Sequence, residues 1–255
     1  MAQTAKWKTA WITGASSGIG RELALRLASR GVRVAASARS EDKLAELAKE
    51  NDRIIAVPCD VTDRVAVAKA AAAVRDRLGP IDLAIFNAGV WQPMTAKHYD
   101  AETAAHAMAV NFQGVSNGVA AVLPDMISRK SGHVAMVSSV AGYVGLPLAT
   151  TYAPTKAAVI SLAQSLQHDL YAVNVKVSTI NPGYIETPMT KINEFPMPYL
   201  MPVGDATERI IRGLERGKFE IAFPWQVVWF LKFGRLLPYP VFSWYLRTFM
   251  GGPAK

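Results

Sequence analysis

The chain alternates short, strongly apolar segments with longer stretches in which apolar residues recur at helical spacing. Leu23 and Leu27 follow Ile19 at intervals of four, and Gly31 then marks the end of the helical pattern. Strand and helix in regular alternation predict an α/β protein, with a doubly wound parallel sheet covered by helices on both faces. The predicted strands are "WKTAWIT", "VRVAASA", "RIIAVP", "IDLAIFN", "HVAMVSS", "VKVSTIN" and "FEIAF".

Composition is consistent with one globular domain over residues 1–255. The chain is 51% hydrophobic with a mean hydropathy of +0.14, and no linker or internal repeat divides it. Cys59 is the only cysteine, which excludes an internal disulfide. The four histidines show no metal-ligand spacing, so we predict no metal site.

The charge and the terminal pattern argue against several kinds of partner. The net charge is +8, but the cations are spread along the chain without a basic run, so nucleic-acid binding is not predicted. No charge-free apolar run reaches the ~18 residues that a membrane-spanning helix needs. The chain also lacks a basic, then apolar leader at its start, and we therefore expect a cytoplasmic protein.

A glycine-rich turn, "TGASSGIG" at residues 13–20, follows the first predicted strand. Gly14, Gly18 and Gly20 allow the backbone to turn tightly and to approach a ligand closely. The next helix directs its free N–H groups and positive dipole end at the same place. The turn therefore predicts a site for a pyrophosphate, although the spacing differs from G-x-G-x-x-G.

The same turn suggests a second class of enzyme. "GASSG" fits the nucleophile elbow of α/β-hydrolases, with Ser16 as the nucleophile. In that fold the elbow follows a middle strand, and the catalytic histidine comes late in the chain. Here the elbow follows the first strand and no histidine occurs after His168. The hydrolase is the less favoured alternative.

Six short motifs in a fixed order make the chain similar to a known family. They are "TGASSGIG", "NAG" at 87–89, Asn111 in "VNFQG", "SS" at 138–139, "YAPTK" from Tyr152 and "NPG" at 181–183. In this combination, residues 8 to about 190 resemble the short-chain dehydrogenase/reductase family. The resemblance implies a Rossmann-like sheet of about seven strands in the order 3-2-1-4-5-6-7. It also implies an oxidoreductase that interconverts a ketone or aldehyde and an alcohol, and a homodimer or homotetramer.

The resemblance also implies roles for four residues. Tyr152 is the acid or base that exchanges a proton with the substrate oxygen, and Lys156 lies one helical turn away. The phenol pKa is normally about 10, and the ammonium together with the cofactor's positive nicotinamide ring is expected to bring it towards neutrality. Lys156 is also expected to hold the cofactor ribose. Ser139, thirteen residues before Tyr152, hydrogen-bonds the substrate oxygen, and Asn111 holds a water that relays protons to Lys156. A redox sensor that binds NADP(H) without turnover is a further alternative, but it has no need of these residues.

The end of the second predicted strand indicates which cofactor is bound. An NAD site carries an acidic residue there, but Ala38 occupies the position and is followed by Arg39 and Ser40. An arginine with a hydroxyl neighbour suits the 2′-phosphate of NADP(H). By resemblance the cofactor-binding residues are Gly14, Ser16, Ser17, Gly18, Ile19, Gly20, Arg39, Ser40, Asp60, Val61, Asn87, Ala88, Gly89, Tyr152, Lys156, Pro182, Gly183, Ile185 and Thr187.

The last quarter of the chain is less regular. In the family, residues 184–203 form a lid over the substrate, and here Met189, Met197 and Met201 predict a hydrophobic substrate. Residues 224–255 form an aromatic, basic extension without acidic residues. Two interpretations of it stay open: peripheral contact of 225–249 with a membrane at its cytoplasmic face, or packing over the substrate pocket or a partner subunit.

Overall fold

One seven-stranded parallel sheet forms the centre of the computed structural model, which describes residues 6–249. Within those residues the strand order is β3-β2-β1-β4-β5-β6-β7. Both the strand number and the order expected from the family resemblance are confirmed. The strands are β1 (Thr9–Thr13), β2 (Arg33–Ser37), β3 (Ile54–Ala56), β4 (Leu83–Phe86), β5 (Gly132–Val137), β6 (Val175–Pro182) and β7 (Glu220–Phe223).

Helices cover both faces of the sheet, as the sequence predicts. They are α1 (Gly18–Ser29), α2 (Glu41–Glu50), α3 (Arg64–Leu78), α4 (Ala101–Met108), α5 (Gly114–Arg129), α6 (Ala153–Leu170), α7 (Val203–Glu215), α8 (Trp225–Gly234) and α9 (Tyr239–Phe249). Alternate residues of β1 divide the core, because successive side chains of a strand point to opposite faces. Ala10 and Ile12 pack with α1, α2 and α7, whereas Trp11 packs with α3, α5 and α6.

Local sequence signals set the ends of the helices that matter for the site. Gly31 follows α1 with a φ of +90°, a conformation that ends a helix at little cost when the residue is glycine. Pro154 lies in the first turn of α6, where its missing N–H leaves no hydrogen bond unmade. The proline is therefore compatible with this helix only because it lies at the start.

The C-terminal helices pack on the loop that follows β5. Leu231 of α8 and Leu246 of α9 are buried in a small cluster with Val140 and Tyr143. The inner side of the extension therefore packs on the rest of the fold, while its contact with a membrane or a partner subunit stays a prediction. No helix within residues 6–249 has the length and apolarity needed to cross a membrane.

Candidate active site

A cavity of about 880 Å³ opens at the carboxyl ends of β1, β4, β5 and β6. Ligands of doubly wound sheets bind at this edge, and the volume suits a cofactor together with a small substrate. Most of the predicted site residues line it: Gly14, Ser16, Ser17, Gly18, Ile19, Asn87, Ala88, Gly89, Ser139, Tyr152, Lys156, Pro182, Gly183, Ile185 and Thr187.

The glycine turn forms one wall of the cavity. Gly14 has a φ of +67°, and a Cβ there would lie 2.7 Å from the Ala88 Cα. Gly18 has a φ of +53° and begins α1, whose preceding residue, Ser17, makes no capping hydrogen bond through its side chain. The first-turn N–H groups of α1 therefore have no capping side chain from Ser17 and lie beside the cavity. This cradle fits the pyrophosphate of a dinucleotide.

Asn87 braces this turn from the neighbouring strand. Its Nδ2 donates to the carbonyl oxygens of Thr13 and Gly14, each at 3.1 Å, and its backbone N–H donates to Thr13 Oγ1 at 3.1 Å. The "NAG" motif therefore holds β4 and the glycine turn in register. The backbone of the glycine turn is therefore held in place before a cofactor binds to it.

Two adjacent serines at the end of β5 have different surroundings. Ser138 is buried and its hydroxyl donates to the carbonyl oxygen of Lys156 at 2.7 Å, so it fixes the position of α6. Ser139 Oγ accepts from the backbone N–H of Ala141 at 3.1 Å and donates to the Pro182 carbonyl oxygen at 3.3 Å. The Ser139 hydroxyl also lowers the pKa of the Tyr152 phenol, so of the two serines it is the one that acts on Tyr152.

Lys156 is buried beneath Tyr152 on α6. Its Nζ donates to the Val137 carbonyl oxygen at 3.0 Å and lies 5.4 Å from the centroid of the Tyr152 ring. Burial lowers the pKa of Lys156 to about 8. The ammonium form still predominates at neutral pH, because that value lies above 7.

The protein groups around Tyr152 do not by themselves bring the phenol pKa towards neutrality. Burial raises the pKa of Tyr152 to about 12, and the hydrogen bond with Ser139 opposes only part of that rise. Desolvation disfavours the phenolate. The Lys156 ammonium, meanwhile, donates to a backbone carbonyl. Tyr152 is therefore a protonated hydroxyl at neutral pH.

Asn111 lies in a π-helical turn, Ala109–Gln113, between α4 and α5. Its Oδ1 accepts from the Val90 N–H at 2.7 Å, and its Nδ2 donates to the Val90 carbonyl oxygen and to Thr155 Oγ1, each at 3.0 Å. A π-turn widens a helix locally and is frequent at functional sites. The helical pattern of the sequence contains no signal for it. The predicted water-holding role of Asn111 stays a prediction.

Several predicted cofactor residues lie outside the cavity lining. Arg39 and Ser40 are exposed after β2. Asp60 also lies outside the lining. Its carboxylate accepts from the backbone N–H of Thr62, and this hydrogen bond is the main cause of the lowered pKa of Asp60.

Gly20 and Val61 are the remaining predicted cofactor residues outside the cavity lining. A Cβ at Gly20 would lie 2.4 Å from the Gly14 carbonyl oxygen, and the Val61 carbonyl oxygen accepts from Asn117 at 2.9 Å. Gly20 therefore serves the packing of the turn.

Trp91 is a residue of the cavity wall that the sequence analysis missed. Its ring meets the Tyr152 ring edge-on, with centroids 5.0 Å apart at 75°. The indole Nε1 donates to Asn193 Oδ1 in the lid at 2.8 Å. Trp91 thus links the proposed proton donor to the lid segment. Its position two residues after "NAG", in the loop that follows β4, was the available signal.

The lid borders the cavity, but its methionines differ in position. Met189 lines the cavity together with Tyr184, Phe195 and prolines 188, 196 and 198. Met201 instead pairs with Ile185 and packs against the sheet core. Met197 Sδ accepts from the Asn193 amide at 3.3 Å. Neither Met197 nor Met201 is part of the cavity lining, so the apolar wall of the lid is made mainly by aromatic and proline residues.

Comparisons with known proteins agree with this fold and site. Residues 8–195 match the family model described as short chain dehydrogenase. An uncharacterized oxidoreductase of Myxococcus xanthus is 39% identical over 241 residues, covering 93% of this chain and 95% of that protein. The oxidoreductase UcpA of Salmonella typhimurium is 39% identical over 188 residues, covering 72% of each.

Solved structures show the same fold. A short-chain dehydrogenase from Streptomyces avermitilis superposes with a TM-score of 0.83 at 25% identity, covering 98% of this chain and 99% of that one. A short chain dehydrogenase/reductase from Burkholderia phymatum, solved in complex with NAD, has a TM-score of 0.85 at 24% identity, covering 92% and 95%.

A doubly wound sheet with a glycine cradle and a Ser–Tyr–Lys group at its carboxyl edge is the architecture of a dinucleotide-dependent oxidoreductase. This chain belongs to the short-chain dehydrogenase family and is an oxidoreductase. The family match leaves the hydrolase alternative at Ser16 without support.

Proposed function

We propose that the protein is an NADP(H)-dependent oxidoreductase that interconverts a small hydrophobic ketone or aldehyde with its alcohol. The observation that carries the proposal is the convergence of Ser139, Tyr152 and Lys156 on a cavity that also contains the glycine cradle. One side of this cavity suits a dinucleotide, and the other has an apolar wall. The predicted homo-oligomer and cytoplasmic location stay predictions.

The protonation states favour carbonyl reduction. When bound, NADPH supplies a hydride to the carbonyl carbon. Tyr152 gives its hydroxyl proton to the carbonyl oxygen, and its raised pKa keeps that proton in place at neutral pH. Ser139 turns its hydroxyl proton from the Pro182 carbonyl oxygen to the same substrate oxygen and stabilises the charge that develops there. In the reverse direction Tyr152 must first lose its proton, so alcohol oxidation requires a higher pH.

NADP(H) is favoured over NAD(H) by the surroundings of the second strand end. Ala38 has no carboxylate to accept the ribose 2′-hydroxyl, and Arg39 is an exposed cation directly after it. Ser40 precedes the first turn of α2, so its hydroxyl and that helix end lie beside the arginine. This combination suits a 2′-phosphate, which arginine binds through charge-assisted hydrogen bonds.

The cavity wall favours a hydrophobic substrate. The cavity that contains Tyr152 is also lined by apolar side chains, namely Trp91, Leu146, Leu148, Phe195 and Val227. Apolar pockets bind by excluding water, with a few polar groups that set orientation. Here Ser139 and Tyr152 supply those polar groups. A panel of apolar ketones and aldehydes should be turned over faster than sugars or short diols, and the reverse order would contradict this substrate class.

The cofactor assignment is tested by titrating NADPH and NADH against intrinsic tryptophan fluorescence. Arg39→Asp removes the cation and adds a carboxylate, and Arg64→Asp makes the same charge change at an exposed position on α3. A hydrogen bond to a charged group contributes about 1.5–3 kcal/mol, so NADPH affinity should fall about tenfold or more in Arg39→Asp only. Unchanged NADPH affinity in that variant would defeat the assignment.

A further inference from the structure

Helices α8 and α9 present an aromatic-rich surface to the outside of the protein. Trp225, Trp229 and Phe233 recur at intervals of four on α8 and are 66%, 68% and 54% exposed. Leu236 continues this stripe beyond the helix. Tyr239, Val241 and Trp244 of the second helix are exposed as well. We use the name aromatic face for these exposed side chains of the two helices and their connection: Trp225, Trp229, Phe233, Leu236, Tyr239, Val241 and Trp244. Exposed apolar side chains concentrated on two neighbouring helices, unlike singly scattered ones, mark interaction sites.

The helices are held firmly with this face outward. Leu231 and Leu246 are buried on the opposite side against Val140 and Tyr143. Lys232 forms an ion pair with Glu220 of β7, whose carboxylate also accepts from the Tyr143 hydroxyl. The exposed rings are therefore on a packed element of the fold, and their exposure does not come from incomplete packing of the helices.

The charges around the face have one sign. Residues 221–249 contain no aspartate or glutamate. Lys232 is paired with Glu220, but Arg235 is exposed and forms no ion pair with any residue in 6–249. Arg247 is also exposed, and its Nε donates only to the Ser243 carbonyl oxygen. Both arginines leave positive charge beside the rings.

We propose that the aromatic face docks on the surface of an anionic phospholipid bilayer. Tryptophan and tyrosine rings rest at headgroup depth, and nearby arginines meet the negative lipid charge. A second copy of the chain fits less well, because a two-fold interface would place this cationic face against itself without carboxylates to pair. With lengths of ten and eleven residues, α8 and α9 would lie along the bilayer.

The lid extends the same surface. Trp225 borders a shallow depression together with Tyr199 and Leu200, which are exposed residues of the lid. On the inner side of α8, Val227 lines the main cavity. Docking would therefore hold the cavity close to the bilayer. The docking itself does not depend on which cofactor or substrate the protein uses.

The test is flotation of the full chain with vesicles of phosphatidylcholine alone and of phosphatidylcholine with 30 mol% phosphatidylglycerol. The variant Trp229→Ser/Phe233→Ser removes two rings of the face, and Arg235→Gln removes one cation. Tyr171→Ser is the matched control, because Tyr171 is 88% exposed but lies before β6, at the opposite edge of the sheet. All four chains are compared by thermal melting and by light scattering for oligomeric state.

We expect the wild type to bind the anionic vesicles and to be released by high salt. Affinity should fall about tenfold or more in the double variant and about fivefold in Arg235→Gln, while Tyr171→Ser is unchanged. Absence of wild-type binding, or equal binding to both kinds of vesicle, overturns the proposal. A double variant that changes oligomeric state without affecting vesicle binding also overturns it, and assigns the face to contact between copies.

Discussion

His133 is a buried histidine whose environment makes the fold sensitive to mild acid. Its Nε2 lies 2.8 Å from Ser178 Oγ, and that hydroxyl donates to the Lys218 carbonyl oxygen at 2.6 Å. The serine therefore offers His133 a lone pair, so Nε2 carries the proton of the neutral ring. Nδ1 is buried and has no hydrogen-bond partner among the described residues. When the ring becomes charged, its second proton must go on this Nδ1, where the described residues offer no acceptor.

The size of the effect follows from the pKa of His133. Burial, then the charges of Lys176 and Lys6, lowers that pKa from 6.5 to about 3. The unfolded chain takes up a proton near pH 6.5, whereas the folded chain does not until about pH 3. The contribution of neutral His133 to the free energy of unfolding is therefore fully present above pH 6.5. It is lost progressively as the pH falls from 6.5 towards 3. At ~1.4 kcal/mol per pH unit, the free energy of unfolding should be ~2 kcal/mol lower at pH 5.

Urea unfolding between pH 5 and pH 7.5 measures this directly, because most carboxylates stay ionised in that range. The wild type should lose ~2 kcal/mol at pH 5. His98→Gln, at an exposed position, should lose as much. His133→Gln should be less stable at neutral pH but should lose little on acidification, because it has no imidazole to protonate. If His133→Gln shows the same pH dependence as the wild type, the reasoning about the buried ring is refuted.

Two further predictions concern the cavity. Gly20→Ala places a Cβ 2.4 Å from the Gly14 carbonyl oxygen, so both thermal stability and the stabilisation by NADPH should fall in a melting assay. Gly145→Ala, where a Cβ meets nothing within 4 Å, is the control, and equal behaviour of the two variants would contradict the prediction. Trp91→Ala removes the aromatic wall beside Tyr152 and should raise KM for apolar carbonyl substrates about tenfold or more, with a smaller change in kcat. An unchanged KM would show that the ring does not contact substrate.

The sequence was sufficient to predict the sheet and the gathering of the candidate site residues at one of its edges. Apolar strands such as Thr9–Thr13 are buried on both faces, and this pattern is visible without coordinates. The motifs after these strands reach one cavity because the carboxyl ends of parallel strands meet at one edge of the sheet. Gly14 and Asn87 therefore lie together as expected, although they are far apart in the chain.

Properties that depend on three-dimensional surroundings were not predictable. The pKa of Tyr152 is raised because burial removes water from the phenol, and one-turn spacing from Lys156 carries no information about that burial. The contact of Trp91 with Asn193 joins two segments whose meeting depends on how the lid folds. The π-turn at Asn111 is likewise absent from the sequence pattern, because its residues are compatible with an ordinary α-helix.

The central claim is that Tyr152 delivers the proton in an NADPH-dependent carbonyl reduction. The most direct test is NADPH-dependent turnover of apolar ketones and aldehydes by the wild type and Tyr152→Phe, with NADPH binding measured on the same samples. Tyr99→Phe, at an exposed position, is the control. We predict that Tyr152→Phe binds NADPH nearly as the wild type does but turns over about 10²–10⁴ times more slowly. Full turnover in Tyr152→Phe, or a wild type that does not bind NADPH, would contradict the account.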